Sequence, residues 1–275
     1  MIECITHGSA ATFLARAEAW LMRAEDRHNL MLGLAYDAPA DAFFATVERD
    51  GEIEGCSMRT PPHKVLVTEL PDDGAAVLAR VLASRYEHIP AVLGPVRTAE
   101  RVAAAWADIR GGVWAHGMKQ RIYRIDQVVT PQGVPGILRA ARPEESDLAA
   151  VWGEGFARDA GVPFATRETV AGWIETGALR IWDVDGVPVS IAVAQGRTPH
   201  GVRVGYVYTP PRHRRRGFAA ACVAALSQKL LDEGVHFCVL YTDLSNVSSN
   251  ALYQRVGYRP IEDVGDVALS PSQGS

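Results

Sequence analysis

The chain has 275 residues, 48% of them hydrophobic and 22% charged, with 28 Lys and Arg against 32 Asp and Glu for a net charge of −4. That length exceeds one typical compact domain, so two domains with their own cores are expected. No apolar run approaches the roughly 20 residues that span a membrane, and the net charge gives no general affinity for nucleic acid, so neither partner is expected.

The stretch from Ala10 to Leu21 is interrupted by Arg16 and Glu18, which argues against a signal peptide and for a cytoplasmic location. Cys4, Cys56, Cys222 and Cys238 are far apart, and no two of the eight histidines stand at i, i+4. Neither a disulfide framework nor a metal site is expected. In chain order, spacing predicts a helix from Ala11 to Leu34, then a hairpin of Phe43 to Glu48 and Ile53 to Met58 about Arg49-Asp50-Gly51. A strand from Lys64 to Glu69 follows, then helices from Ala75 to Tyr86 and Ala99 to Ile109 around Ala91-Val92-Leu93. Met118 to Val129 reads as a strand.

Turn-formers cluster in Thr130-Pro131-Gln132-Gly133-Val134-Pro135-Gly136, which places a linker at 131–136 between domains 1–130 and 137–275. The second half repeats the order of the first. Helices are expected from Glu145 to Ala160 and Arg167 to Thr176, then strands from Leu179 to Val184, Val187 to Ala194 and Val202 to Thr209. A helix from Phe218 to Glu233 ends at Gly234, and a strand from Phe237 to Tyr241 follows. A short helix from Ser249 to Val256, with Ser248 or Ser249 as N-cap, and a strand from Tyr258 close the chain; Ser270 to Ser275 reads as a disordered tail. The repeated order points to an internal duplication.

Between a strand and a helix lies Val207-Tyr208-Thr209-Pro210-Pro211-Arg212-His213-Arg214-Arg215-Arg216-Gly217-Phe218-Ala219. The first amides of a helix lack intrahelical partners and lie at the positive end of its dipole, so such a junction suits a phosphate. Gly217 and the small Ala219 let an anion approach the backbone, and the arginines add charge. The segment Arg214-Arg215-Arg216-Gly217-Phe218-Ala219 resembles the Arg/Gln-x-x-Gly-x-Gly/Ala signature of the GNAT N-acetyltransferases, and the flanking Val-Tyr-Thr-Pro-Pro and Cys-Val-Leu-Tyr-Thr-Asp are typical of bacterial members. The resemblance implies a mixed α/β (α+β) fold of two tandem GNAT-like domains and acetyl-CoA as cosubstrate. Amides from Arg215 to Ala219 would hold the pyrophosphate, and backbone groups of Val207, Tyr208 and Thr209 would pair with the pantetheine arm and acetyl carbonyl. The strands Val202 to Thr209 and Phe237 to Tyr241 would splay to admit pantetheine. Arg215 departs from the glycine common at that position.

Amine acetylation needs a base for the ammonium proton, donors on the oxyanion and an acid for the departing thiolate. A tyrosine, with an ordinary pKa of about 10, arrives protonated. The resemblance assigns that role to Tyr253 and a hydrogen bond to the CoA arm to Asn246. Glu154, Asp159, Glu175, Asp183 and Asp243 are candidate bases by position only, and a water relay would also serve. In the first half, the place of the phosphate loop is taken by Leu70-Pro71-Asp72-Asp73-Gly74. Carboxylates there repel a pyrophosphate, so the first domain reads as a degenerate copy. The expected reaction is acetyl transfer to a primary amine of a small molecule or peptide by direct attack. A mycothiol-synthase-like acetyltransferase and a non-catalytic acetyl-CoA sensor stay open as alternatives, as do monomer and homodimer.

Overall fold

One succession of elements occurs twice along the chain: strand, two helices, three strands, helix, strand, helix, strand. The computed structural model describes residues 1–271. They form two compact units, Met1–Ile122 with the chain from Glu262 onward, and Tyr123–Ile261.

In the first unit, β1 (Ile2–His7) leads to α1 (Ala10–Leu21), whose N-cap Ser9 shares a capping box with Thr12. The long helix expected here breaks at a 3₁₀ turn, Met22–Ala24, before α2 (Glu25–Tyr36). Then come β2 (Phe43–Arg49), β3 (Glu52–Arg59), β4 (Val65–Val67), α3 (Asp72–Arg85), β5 (Ala91–Pro95), α4 (Val96–Arg110) and β6 (Gly112–Ile125). β1 to β4 pair antiparallel in sequence, and β4 and β5 pair in parallel. Alternation sends Phe44 into the core with α1 and α2, and its neighbour Phe43 into the core with α3 and α4. Both faces of the sheet are covered.

The second unit begins with β7 (Ile137–Ala140), which pairs with β8 (Leu179–Val184). Between them run a 3₁₀ turn, Pro143–Glu145, and helices α5 (Ser146–Ala160) and α6 (Arg167–Glu175). β9 (Val187–Gln195), β10 (Gly201–Tyr208), α7 (Phe218–Asp232), β11 (Phe237–Asp243), α8 (Val247–Val256) and β12 (Arg259–Pro271) follow. β8, β9 and β10 are antiparallel neighbours, and β10 pairs in parallel with β11. α7 and α8 cover one face with Val202, Val204, Cys238 and Leu240; α5 and α6 cover the other with Ile181, Ile191 and Val193. Gly234, at φ +91°, ends α7 as expected.

The units divide elsewhere than at the turn-rich 131–136. The boundary cuts β6 between Ile122 and Tyr123, because Tyr123 and Ile125 join the core of the second unit. It cuts β12 between Ile261 and Glu262, because Val267 and Leu269 join the core of the first, where β12 pairs antiparallel with β5. The turn-rich segment is built into the second unit: Val134 packs on its core, and the Pro135 carbonyl accepts the Trp182 indole N–H at 3.0 Å. Sequence reading missed β1 and β7, which are short and lie at the starts of the two runs. Ser270 and Pro271, expected in a disordered tail, close β12; residues 272–275 lie outside those described.

At the entry to α5, Arg139 donates to Glu145 at 2.7 Å and to Asp183 at 2.9 Å, and both carboxylates are buried. The Arg139 guanidinium holds the Glu145 carboxyl down at about 2. This carboxyl is more acidic folded than unfolded, so its stabilisation is full above pH 4.5 and drains as pH falls towards 2. Arg139→Met, which leaves two buried carboxylates uncompensated, is expected to cost about 3 kcal/mol in urea melts at pH 7. Wild type should lose stability between pH 4.5 and 2 more steeply than the variant.

Candidate functional site

β10 has partners on both sides only at its start. Its parallel ladder with β11 covers Gly201, Val202 and Arg203, opposite Phe237, Cys238 and Val239, and stops there. From Val204 to Tyr208 the β11-facing backbone has no strand partner among the described residues. On the β9 side a bulge sets Tyr206 and Val207 against Ala192 alone, between the pairs Gly205↔Val193 and Tyr208↔Ile191. Tyr206 sits at φ +48°, a left-handed conformation costly for a bulky residue. Its ring packs on Phe156 of α5 and Trp173 of α6, with centroids 4.7 and 4.6 Å away. Ser190 accepts or donates to the Thr209 hydroxyl at 2.9 Å and donates to the Tyr208 carbonyl at 3.0 Å, fixing the strand end.

The chain then passes through a 3₁₀ turn, Pro211–His213, into the loop before α7. Arg215 at φ +63° and Gly217 at φ +82° are both left-handed, which aims the loop at the first turn of the helix. Gly217 is the N-cap, and no side chain caps α7. The amides of Phe218 and Ala219 are thus available to an anion. Gly217 is needed for its backbone angle as much as for ligand approach, since a Cβ would also stand 2.9 Å from Val134 Cγ2.

The arginines divide their work. Arg214 donates to the Thr209 carbonyl at 2.9 Å, pairs with Asp159 and lies 5.7 Å from the Tyr208 ring centre, so it braces the loop. Arg216 lies over Phe218, while Arg215 is exposed. Burial and the charges of Arg212 and Arg216 push His213 below its ordinary value, and Arg212 donates to its Nε2.

The N-cap of α8 is Asn246, not Ser248 or Ser249. Its Oδ1 accepts from the Ser249 amide at 3.1 Å and the Ser248 hydroxyl at 2.9 Å. Its side-chain N–H₂ has no partner among the described residues and stays open as a donor. Three tyrosines meet in the core behind α8, with the Tyr253 ring 6.4 Å from Tyr123 and 6.0 Å from Tyr258. Tyr123 donates to Asn250 at 2.9 Å, and Tyr258 bonds Ser227 at 2.8 Å. The Tyr253 hydroxyl bonds to no described residue, and burial raises its pKa well above the ordinary phenol range.

Among the candidate bases, Asp159 is paired with Arg214, Asp183 with Arg139, and Asp243 accepts the Ser245 amide at 2.8 Å. Glu154 and Glu175 are exposed on α5 and α6. Two features escaped sequence reading. The strain at Tyr206 leaves no mark in the sequence beyond the preceding Gly205. Arg203, a lone charge within the apolar run Val202 to Val207, was a signal that went unused.

Gly217→Ala is expected to cost about 1–2 kcal/mol in denaturant melts, from the left-handed angle and the Val134 contact. Arg215→Gly, which relieves φ +63° without a contact to lose, should instead raise stability by up to about 1 kcal/mol.

A family model described as FR47-like protein matches residues 189–264, the span from β9 through β10, α7 and α8. No curated protein matches the sequence. Among solved structures, a Drosophila protein superposes with a TM-score of 0.69 at 15% identity, covering 99% of each chain. A GCN5-related N-acetyltransferase from Sphaerobacter thermophilus gives 0.59 at 18% identity, covering 97% of this chain and 95% of its own. A tandem GNAT protein from the clavulanic acid biosynthesis pathway gives 0.58 at 14% identity over 100% of both chains. Identities this low establish fold, and the fold extends over the whole of both chains. With its doubled run of elements and a mixed α/β sheet in each unit, the chain is a tandem GNAT-fold protein.

Proposed function

We propose that the second unit transfers an acetyl group from acetyl-CoA to a primary amine. The observation that carries this reading is the early end of the β10–β11 ladder, directly before a bulge and an uncapped helix N-terminus. A pantetheine arm has amides that can replace the missing strand partner along Val207, Tyr208 and Thr209. The pyrophosphate then falls at the amides of Arg215, Arg216, Gly217, Phe218 and Ala219, and the open amide of Asn246 can donate to the arm. The neutral amine attacks the thioester carbonyl, the C–N bond forms and the C–S bond breaks. Tyr253 gives its proton to the departing thiolate and regains one released by the amine through water.

The first unit also has a short parallel ladder and a helix without a side-chain cap, but neither the bulge nor the basic loop. Its loop after β4 is short, and α3 starts at Asp72 itself, with Asp72 paired to Arg101 and Asp73 to Arg49. A Cβ on Gly94 would stand 2.4 Å from the Val67 carbonyl oxygen, so β4 and β5 stay in contact where β10 and β11 part. α4 and α8 both end at a left-handed glycine, Gly111 and Gly257; four residues earlier stands Ala107 in α4 and Tyr253 in α8. We assign this unit no acetyl-CoA site.

Ala219→Asp places in α7 what Asp73 supplies to α3. Calorimetry should show one acetyl-CoA site per wild-type chain and an affinity at least about 100-fold lower in the variant, with the melting temperature held, since an acidic residue suits a helix N-terminus. Binding at two sites, or full affinity in the variant, would refute the assignment. Tyr253→Phe is expected to lower kcat about 10²- to 10³-fold without changing acetyl-CoA affinity. Because the phenol's pKa is raised, the acid form persists upward, and wild-type kcat should show no alkaline decline through pH 10.

A further inference from the structure

Arg203 is the one feature of β10 that acetyl-CoA binding leaves without an explanation. Its partner across the β9 ladder is Gln195, and two residues on, Gly205 pairs with Val193, part of the core under α5 and α6. Arg203 therefore faces the α5/α6 side, as does the Tyr206 ring, while Val202 and Val204 face α7. Its Nη1 is closed off from solvent and has no hydrogen-bond partner among the described residues, and no carboxylate acts on the guanidinium, whose electrostatic neighbour is Tyr241. Gly196 makes the room: a Cβ there would stand 2.9 to 3.0 Å from the guanidinium atoms, and its φ of +56° is one a side chain rarely adopts. Gly205 likewise makes room for the Gln195 amide, 2.6 Å from where its Cβ would be.

A guanidinium without a counter-charge is costly to desolvate, whereas the partly buried Arg139 meets two carboxylates. Desolvation lowers the Arg203 pKa, opposed by the smaller effect of the nearby Tyr241. The α7 side of the strand serves the cofactor's helix, so the opposite side is left for the acceptor. We propose that Arg203 anchors a carboxylate carried by the acceptor, with Gln195 as a second donor. The acceptor is then an amine bearing a carboxylate on the order of 10 Å from the reacting nitrogen, the span from Arg203 to Val207 along the strand. The planar fork of a guanidinium matches a carboxylate in two parallel hydrogen bonds. This proposal rests on the acetyl-transfer reading of the same unit.

The test uses the full-length protein saturated with acetyl-CoA, so that the pyrophosphate loop is filled, and glutarate as probe at constant ionic strength. Wild type should gain about 4 °C in melting temperature at ten times the glutarate Kd. Arg203→Met should lose this response while melting at or above wild type, because a partly buried charge without a carboxylate partner has been removed, and Arg203→Lys should respond weakly. No response in wild type, an equal response in Arg203→Met, or a marked fall in the Met variant's own melting temperature would overturn the proposal. So would a response to sulfate or phosphate alone, or competition between glutarate and acetyl-CoA. Failure to bind acetyl-CoA would instead sink the acetyl-transfer reading. A glutarate response dependent on Arg203 would survive that result as an anion site of different purpose.

Discussion

The structure of the second unit turns on a backbone left unsatisfied inside a sheet. A strand that loses its neighbour leaves donors and acceptors without partners, and each such group costs about 1–3 kcal/mol if it is also kept from water. β10 runs three residues beside β11 and then goes on without it. Everything beyond Arg203 follows from holding that open edge in place. The bulge turns Tyr206 and Val207 out of the β9 ladder, Phe156 and Trp173 clamp the Tyr206 ring, and Ser190 ties down the strand end. An edge fixed so firmly is a template for an extended ligand that brings its own amides.

The two runs of elements show how little sequence separates an open cleft from a closed one. Their strand pairings correspond step by step, three antiparallel and then one parallel. In the first unit the chain after β4 folds back at once: the Thr68 amide bonds the Cys56 carbonyl at 3.0 Å, and the Leu70 amide bonds the Thr98 hydroxyl at 3.3 Å. The amides there are consumed within the protein. In the second unit the corresponding stretch is longer, carries left-handed backbone at Arg215 and Gly217, and consumes none of the amides at the start of α7 through a side-chain cap.

Much of this was legible in the residues. Periodicity placed α7, β8, β9 and β10 within a residue or two, because each buries a regular face against a large core. The turn signal Asp50-Gly51 marked the first hairpin, and Asp50 takes the left-handed angle such a turn demands. The Pro-Gly stretch at 131–136 misled because turn-formers report irregular backbone, not independence: Val134 and Pro135 are bound to the second unit by contacts that no local pattern encodes. The exchange of β12 was equally hidden, since Val267 and Leu269 say only that they are apolar, not which core receives them. Asn246 took the cap from the serines because it stands at the N-cap three residues before Ser249, where its side chain reaches that amide. The strained Tyr206 was beyond reach, because its angle is set by aromatic partners on two helices.

The acid step of the proposed reaction would depend on dryness in a way that a phenol's pKa alone misstates. Tyr253 is pushed up by burial, so giving its proton to a thiolate of ordinary pKa, about 8.5, would run steeply uphill. In the proposed reaction, however, the thiolate would depart beside the same core. Two thiols already within it, Cys222 and Cys238, are each pushed up to about 12 by burial. A sulfur leaving in that environment would gain proton affinity for the reason the phenol does, since both anions lose the same water. The gap between donor and acceptor narrows while both stay less acidic than in solution. Tyr123 and Tyr258, in the same dry cluster, have their hydroxyls bound to Asn250 and Ser227 and cannot take this part without breaking those bonds. Burial would thus set the proton affinity, and its unpartnered hydroxyl is what distinguishes Tyr253, the proposed acid, from its neighbours.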